Sequence, residues 1–483
     1  MTTTAAVRAG LRGAPLVRGL VALLGPTKVL GAHDDLLLYE YDGAVDTATP
    51  DAVVLPESTA DVAALARFCH EHAVPIVPRG AGTGLSGGAI PVEGGVVVSF
   101  ARMARILEID VSSLRAVVQP GVINLHLSTA VAPHGLYFVP DPSSQKACTL
   151  GGNVAENSGG PHTLAYGVTT NHVTGIEIVL SDGTVVRLGG KAVEDEGYDL
   201  VGSSVGSEGT LGLVTEITVK LTPLPEDKRT LMAAFPTMDE ASETVSAIIA
   251  AGVVPSAIEM MDQLATQAVE ASVHAGYPLD AGGILLVEVD GARDGLEDAR
   301  ARIEEICRAH AASEVRVATS ALERERLWAG RKGAFAAMGR LSPDYYVQDG
   351  VIPRTRLPDI LRLVKDAGTR HGLQVANVFH AGDGNLHPLI LFDSRRGPDE
   401  LERAKAAGLE ILTACVEAGG SITGEHGVGM EKNCFMPLQF QSSDLAAMRR
   451  LKDAFDPPGL MNPGKIFPTP SRCREFAFAS TAR

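Results

Sequence analysis

Tryptophan is nearly absent, with one residue in 483, and aromatic residues make up only 5% of the chain. That is too little for the aromatic stacking platforms that hold single-stranded nucleic acid. Basic charge is also short. Lys and Arg number 42 against 58 Asp and Glu, a net charge of −16, and such a surface repels phosphate backbones. No nucleic acid is expected as a partner. Cysteine occurs six times, at 69, 148, 307, 415, 434 and 473, and never as Cys-x-x-Cys. The scatter speaks against a cysteine metal knot or a disulfide frame, and for reduced thiols in a reducing, cytoplasmic setting. No apolar run approaches the roughly 20 residues of a spanning helix, so no direct membrane insertion is expected. Acids are missing before Asp34, whereas Arg8, Arg12 and Arg18 lie in that stretch. A targeting peptide would look similar, but the apolar run Leu20–Leu24 is short for a secretory core. Leu16, Leu20, Leu23 and Leu24 also share one helix face, which predicts a plain N-terminal helix.

What the chain does have is a 45% hydrophobic content, normal for a folded protein, and 52 glycines gathered in short loops. The first glycine loop runs from Arg79 to Ala89, with five glycines in eleven residues and no acid. Glycine frees the backbone to take φ > 0, so that N–H groups can converge on phosphate oxygens. A turn-rich surface loop is the plainer alternative. No Gly-Lys-Ser/Thr follows, which excludes a Walker loop, and a proline and strand follow where a dinucleotide fingerprint needs a long helix. A second loop spans Thr149 to Gly160, led by Pro140-Asp141-Pro142, and a third spans Gly206 to Gly212. Three such loops in one domain could wrap a long, phosphate-containing ligand.

The loops lie among short elements. A helix is predicted over 61–72, strands over 53–55, 75–77 and 95–99, a hairpin turning at Asp182-Gly183, and an alternating strand over 212–221. Pro223, Pro225 and Asp227 mark a boundary. Beyond it come longer amphipathic helices, at 238–251, 293–311, 354–371, 400–418 and 443–454, with strands at 283–288 and 314–317. That order suggests a second α+β domain with an antiparallel sheet.

Taken together, the Arg79–Ala89, Gly151–Gly160 and Gly206–Gly212 strings resemble the FAD-binding domain of flavoproteins of the vanillyl-alcohol oxidase type. Residues 353–466 resemble the C-terminal domain of FAD-linked 2-hydroxy-acid dehydrogenases. The likeness is nearest to the catalytic FAD-linked subunits of bacterial glycolate oxidases. It is carried by Ile258–Asp262, Trp328–Lys332, Ser342–Tyr346 and Val375–Asp393, and it extends from about residue 35 to 474.

The resemblance implies an α+β chain with an N-terminal helical segment (1–45), a two-subdomain FAD-binding domain (46–222), a substrate and metal domain (223–455), and a C-terminal segment (456–483) returning to the flavin. It assigns FAD contacts to Pro78, Arg79, Gly80, Ala81, Gly82, Thr83, Gly84, Leu85 and Ser86 in the first loop. Around the second it assigns them to Pro140, Asp141, Thr149, Gly152, Asn153, Asn157, Ser158 and Gly159, and in the third to Glu208, Gly209, Leu211 and Gly212. Asn462 resembles a C-terminal residue that folds back on the flavin, although Asn462-Pro463 also reads as a simple turn. Covalent relatives carry a His in the first loop. This loop has none, so the FAD is expected to be non-covalent.

Three histidines sit among glycines in the second domain, in Val378-Phe379-His380-Ala381-Gly382-Asp383-Gly384-Asn385-Leu386-His387 and in Gly424-Glu425-His426-Gly427. Imidazole and carboxylate suit a divalent ion such as zinc, manganese or iron. A single His is commonly structural, and neither the HExxH string nor its i, i+4 spacing is present. The resemblance implies that His380, His387 and Glu425 bind a divalent metal, zinc or manganese, and that His426 is the catalytic base. Histidines 33, 70, 72, 126, 134, 162, 172, 274, 310 and 371 read as structural.

Arg331, in Trp328-x-x-Arg331, matches the family's substrate arginine, and a guanidinium is a natural fork for a carboxylate. A solvated helix-face charge is its alternative reading. Relatives acting on larger diacids carry a hydroxyl and a lysine where this chain has Phe335 and Gln348, which favours a small monoacid, glycolate or D-lactate. A D-lactate dehydrogenase proper and a non-catalytic FAD-binding partner subunit are the alternatives. The implied partners are an iron–sulfur subunit and a second FAD-binding subunit, through which membrane contact would be indirect.

Overall fold

The computed structural model describes residues 10–192, 197–469 and 473. They form two compact units. The first takes its residues from Met1–Ser158, Thr169–Pro223 and His426–Arg483, and the second from Gly159–Val168 and Leu224–Glu425. The first unit therefore resumes at His426, well before the return at 456 inferred from the sequence.

The first unit holds two sheets. In one, Ala52–Val54 and Ile76–Arg79 flank Val96–Ser99 in parallel, with Val29–Leu30 antiparallel at the edge. Every residue of Ala52–Val54 is buried, as expected of a parallel strand covered on both faces. The helix Thr59–Glu71 starts at Ser58, whose side chain accepts from Asp61 N, and packs Val62, Leu65 and Ala66 into the core of this sheet. The N-terminal helix forms over Gly13–Leu24. Its Leu16 and Leu20 are fully buried, which stabilises the docked helix by roughly 2 kcal/mol each. Leu23 is 42% exposed, so the buried stripe is narrower than the sequence pattern suggests.

The other sheet is antiparallel, in the order Ile106–Asp110, Arg115–Val118, Leu213–Lys220, Val173–Val179, Val185–Gly189. The Asp182-Gly183 hairpin forms as predicted, and Leu213–Lys220 alternates buried and half-buried residues, the signature of a sheet with one dry face. One stretch departs from the sequence reading. Residues 150–156, taken as loop because of Gly151 and Gly152, form the helix Leu150–Glu156. The Thr149 side chain caps it by accepting from Gly152 N, and Leu150 and Val154 anchor it in the core.

In the second unit the main sheet is antiparallel, running Glu314–Val317, Asp227–Phe235, Gly283–Gly291, Ala257–Asp262, Gln374–His380. At its far side Gln374–His380 also pairs with Pro388–Phe392 and with the short strand Asn385–Leu386. The helices predicted at 238–251, 293–311, 354–371 and 400–418 form over Met238–Ala250, Leu296–Ala309, Leu357–Arg370 and Pro398–Glu417. The core gathers Met232, Met261, Val269, Leu286, Leu327 and Val378.

The expectation of reduced thiols fails at one pair. Cys434 and Cys473, 39 residues apart with Cα atoms 5.3 Å apart, are joined by a disulfide, while Cys69, Cys148, Cys307 and Cys415 are free and buried. Contact between residues so distant in the chain leaves no spacing signal. No helix among the described residues is long and apolar enough to cross a membrane.

Candidate functional site

In the first unit the three glycine loops meet. The strand Ile76–Arg79 delivers the first loop, and Arg79 Nη1 donates to Tyr41 O at 2.6 Å. A Cβ on Gly80 would run into Thr149 Oγ1, joining the first loop to the second. One on Gly209 (φ +67°) would run into the Pro78 ring, joining the third loop to the first, and one on Gly206 would come within 3.3 Å of Asn157 Cβ. The first loop turns through positive φ at Gly82 and Gly87. The geometry thus needs glycine at the joints.

Polar side chains hold the loops from behind. Asn124 Nδ2 donates to Pro140 O and to Asn153 Oδ1, and Asn153 Nδ2 donates to Ser158 Oγ at 3.2 Å. Asn157, in the left-handed region at φ 54°, accepts from Thr170 N. Asn462 Nδ2 donates to Gly88 O at 3.0 Å and to Glu208 O at 2.7 Å, so this buried residue clamps the first loop to the third. Glu208 accepts from Val428 N and Gly429 N at 2.7 Å each, and Ser86 Oγ donates to His426 O. Leu211 is buried behind the third loop.

Ionised acids would oppose a pyrophosphate here. Desolvation, then the Glu208 and Asp42 carboxylates, hold the Glu156 carboxyl well above the usual range. Glycine joints, with the nearby acid pushed toward its uncharged form, fit a dinucleotide cofactor. Gly159 belongs to the second unit, where a Cβ on it would sit 2.9 Å from Glu425 Oε2.

The second unit assembles the predicted metal residues. His380 ends the strand Gln374–His380, and His387 follows the Asn385–Leu386 strand after a tight turn through Gly384 (φ +81°). His380 Nε2 and His387 Nε2 each lie 3.1 Å from Glu425 Oε1, and the rings stand at 88° with centroids 5.1 Å apart. One ligand atom from each of the three residues lies within 4.8 Å of the others, a spacing that fits a single ion.

The electrostatics agree. Burial alone would lower the His380 pKa, yet Glu259 and then Glu425 hold it well above the ordinary imidazole value. Burial would raise Glu425, and His380 and His387 pull it well below the carboxylate range. A field that holds an extra proton between these groups is a field that holds a cation.

Two buried acids absent from the sequence reading complete the cluster. Glu259 lies opposite His380 in the sheet register and accepts from His380 Nδ1 at 2.8 Å, while its other oxygen pairs with Arg331 Nη2 at 2.6 Å. Asp349, fully buried, accepts from Thr423 Oγ1, Gly424 N, Glu425 N and Asn385 Nδ2, fixing the loop that presents Glu425. Its Oδ1 lies 3.8 Å from His387 Nδ1. Neither acid carries a local spacing signal. Glu259 sits in the quoted Ile258–Asp262 string without a role, and only cross-strand register reveals one.

Arg331, on the helix Ala321–Lys332, is 2% exposed, so the solvated-charge alternative falls. Phe335 turns its ring edge toward His387, centroids 6.0 Å apart. Gln348 does not join the cluster. It is fully buried, with its amide beside Gly408 and Tyr346. His162, read as structural, stacks on Trp328 and lies 3.6 Å from Glu288.

Comparison with known proteins finds two successive family matches along the chain. Residues 50–189 match the FAD binding domain model, and residues 224–466 match the model for the C-terminal domain of FAD linked oxidases. The glycolate oxidase subunit GlcD of Escherichia coli K12 is 50% identical over 93% of this chain and 90% of its own length. The subunit of the same name in Bacillus subtilis is 43% identical over 95% of this chain and 98% of its own. A crystal structure of p-cresol methylhydroxylase with substrate bound superimposes with a TM-score of 0.80 at 18% identity, covering 94% of this chain and 96% of that one, a likeness of fold.

Proposed function

The chain belongs to the FAD-linked oxidases, and from that premise we propose that it oxidises a small 2-hydroxy acid, glycolate or D-lactate, to the 2-oxo acid. The observation that carries this reading is the buried His380–His387–Glu425 cluster with Arg331 one carboxylate away. Both GlcD relatives are named for glycolate oxidase. FAD, held non-covalently by the glycine loops, supplies a hydride acceptor for the α-hydrogen. His380, His387 and Glu425 would hold a zinc or manganese ion, which would supply Lewis acidity.

The remaining work falls to side chains. Arg331 binds the substrate carboxylate, its Nε without a partner among the described residues. His426, next in the chain to Glu425, takes the hydroxyl proton on a ring nitrogen, a task suited to an imidazole of ordinary pKa near 6.5. The hydroxyl proton is the share of the oxidation that would fall to His426, the α-hydrogen being the share a bound FAD would accept. Phe335, beside His387, itself offers no polar anchor for a second carboxylate, which supports a monoacid. Like its named relatives, the chain is proposed to act as one subunit. An iron–sulfur subunit and a second FAD-binding subunit would take the electrons onward and make any contact with a membrane, leaving this subunit in the cytoplasm.

Anaerobic titration of the purified protein with glycolate, D-lactate, L-lactate and D-2-hydroxyglutarate tests the reading. Bleaching of the flavin band by glycolate or D-lactate is expected. A flavin spectrum that none of the four bleaches would contradict it and favour a non-catalytic partner subunit.

A further inference from the structure

We infer that Glu259 is a positioning residue that couples the metal site to the substrate-carboxylate site, one carboxylate holding His380 and Arg331 at once. The inference rests on the metal reading above and adds a role for a residue outside the ligand set.

The geometry begins with the sheet. Glu259 and His380 are direct cross-strand partners, so their side chains leave the same face at neighbouring positions. Glu259 sits among Ile258, Met260 and Met261, all buried, and is itself 1% exposed. A carboxylate at such a position carries a large desolvation cost unless it is paired. An apolar residue there would be the cheaper way to fill a sheet, so the charge calls for a reason.

Its two oxygens supply one. Both lie within 2.9 Å of His380 Nδ1, so that nitrogen is turned to Glu259 and Nε2 is left to face Glu425. One of them also binds Arg331 Nη2, which stands only 3.5 Å from His380 Nδ1. Without Glu259 a guanidinium would face that imidazole unscreened, and a divalent ion on its far nitrogen would be repelled. With it, Arg331 is fixed in place while its Nε stays unbonded. Loss of Glu259 therefore weakens ion and substrate binding together, the mark of coupling.

The test measures affinity for Zn²⁺ and Mn²⁺ by competition with a chromophoric chelator, and KM and kcat for glycolate, on the FAD-loaded protein. Glu259→Gln, which keeps shape and loses charge, is expected to bind the ion about 10- to 100-fold more weakly. Its KM is expected to rise by about tenfold, with kcat at saturating ion and substrate within about threefold of the parent. Glu259→Asp should recover part of the ion affinity. Glu288→Gln serves as the control, since Glu288 is an equally buried acid on the neighbouring strand that binds Trp328, Thr230 and Lys228 instead. It should lower the melting temperature and leave ion affinity within twofold. If Glu259→Gln loses FAD through misfolding, Glu259→Asp decides on the same criterion. Ion affinity within twofold of the parent in the deciding variant would overturn the inference while leaving the metal reading intact. A parent protein that takes up neither ion would overturn both.

Discussion

In the first unit the loops meet at glycine joints, with the Glu156 carboxyl beside Gly88 and the Arg79 guanidinium beside Gly82. Glu208 grips Val428 N and Gly429 N, and Lys465 Nζ donates to Ile90 O. In the second unit Arg331, Glu259, His380, Glu425 and His387 form a row in which nitrogen groups alternate with carboxylates, and apolar sheet surrounds it. The first arrangement suits a large ligand that brings its own charge. The second suits a small ion and a small acid that must be held to a fraction of an ångström. On the proposed function, the contrast divides the labour, with cofactor retention in one unit and substrate activation in the other.

Variants that touch only one unit probe that division. The largest effect is expected from His387→Ala. Lewis-acid stabilisation is worth several kcal/mol, so turnover with glycolate should fall by about 10³-fold or more. The flavin absorbance of the purified variant should be unchanged.

In the other unit, Gly209→Ala places a Cβ at φ +67° against Pro78. The left-handed penalty of about 1–2 kcal/mol, with the clash added, should weaken FAD binding by about 10- to 100-fold. Fluorescence titration of the apoprotein reads this loss, and ion affinity should stay at the parent value.

A smaller change sharpens the picture of the second unit. Asp349→Asn removes the carboxylate that accepts from Thr423, Gly424 and Glu425. Chelator competition should show ion affinity reduced by about tenfold, with the Arg331 contact and KM little changed.

The smallest effect concerns charge away from the site. Burial would raise Glu288, but His162, Lys228 and Thr230 hold it down at about 2. A depressed carboxyl stabilises the fold above its ordinary pKa near 4.3 and loses that contribution as pH falls toward 2. Glu288→Gln should therefore cost about 3 kcal/mol at pH 7, and the difference from the parent should shrink between pH 5 and pH 2 in denaturant melts.

The same contrast governs how much the sequence disclosed. Glycine loops are local, and so the cradle could be read from strings such as Arg79–Ala89. His380 and His387 are seven residues apart across a Gly-Asp-Gly turn and could be suspected from that spacing. Glu259 is 121 residues from His380, and Asp349 is 74 from Thr423, so strand register and loop packing alone bring them in. The helix Leu150–Glu156 was hidden because its two glycines disfavour helix, and burial of Leu150 and Val154 overrides that preference. The Cys434–Cys473 bond was hidden for the same reason as Glu259.

The most direct test of this division is a stopped-flow experiment on one preparation, before and after a chelator strips the ion while FAD stays bound. With glycolate and no oxygen, the intact protein should bleach its flavin, the stripped protein should stay yellow, and added Zn²⁺ or Mn²⁺ should restore bleaching. Equal bleaching rates with and without the ion would contradict the account.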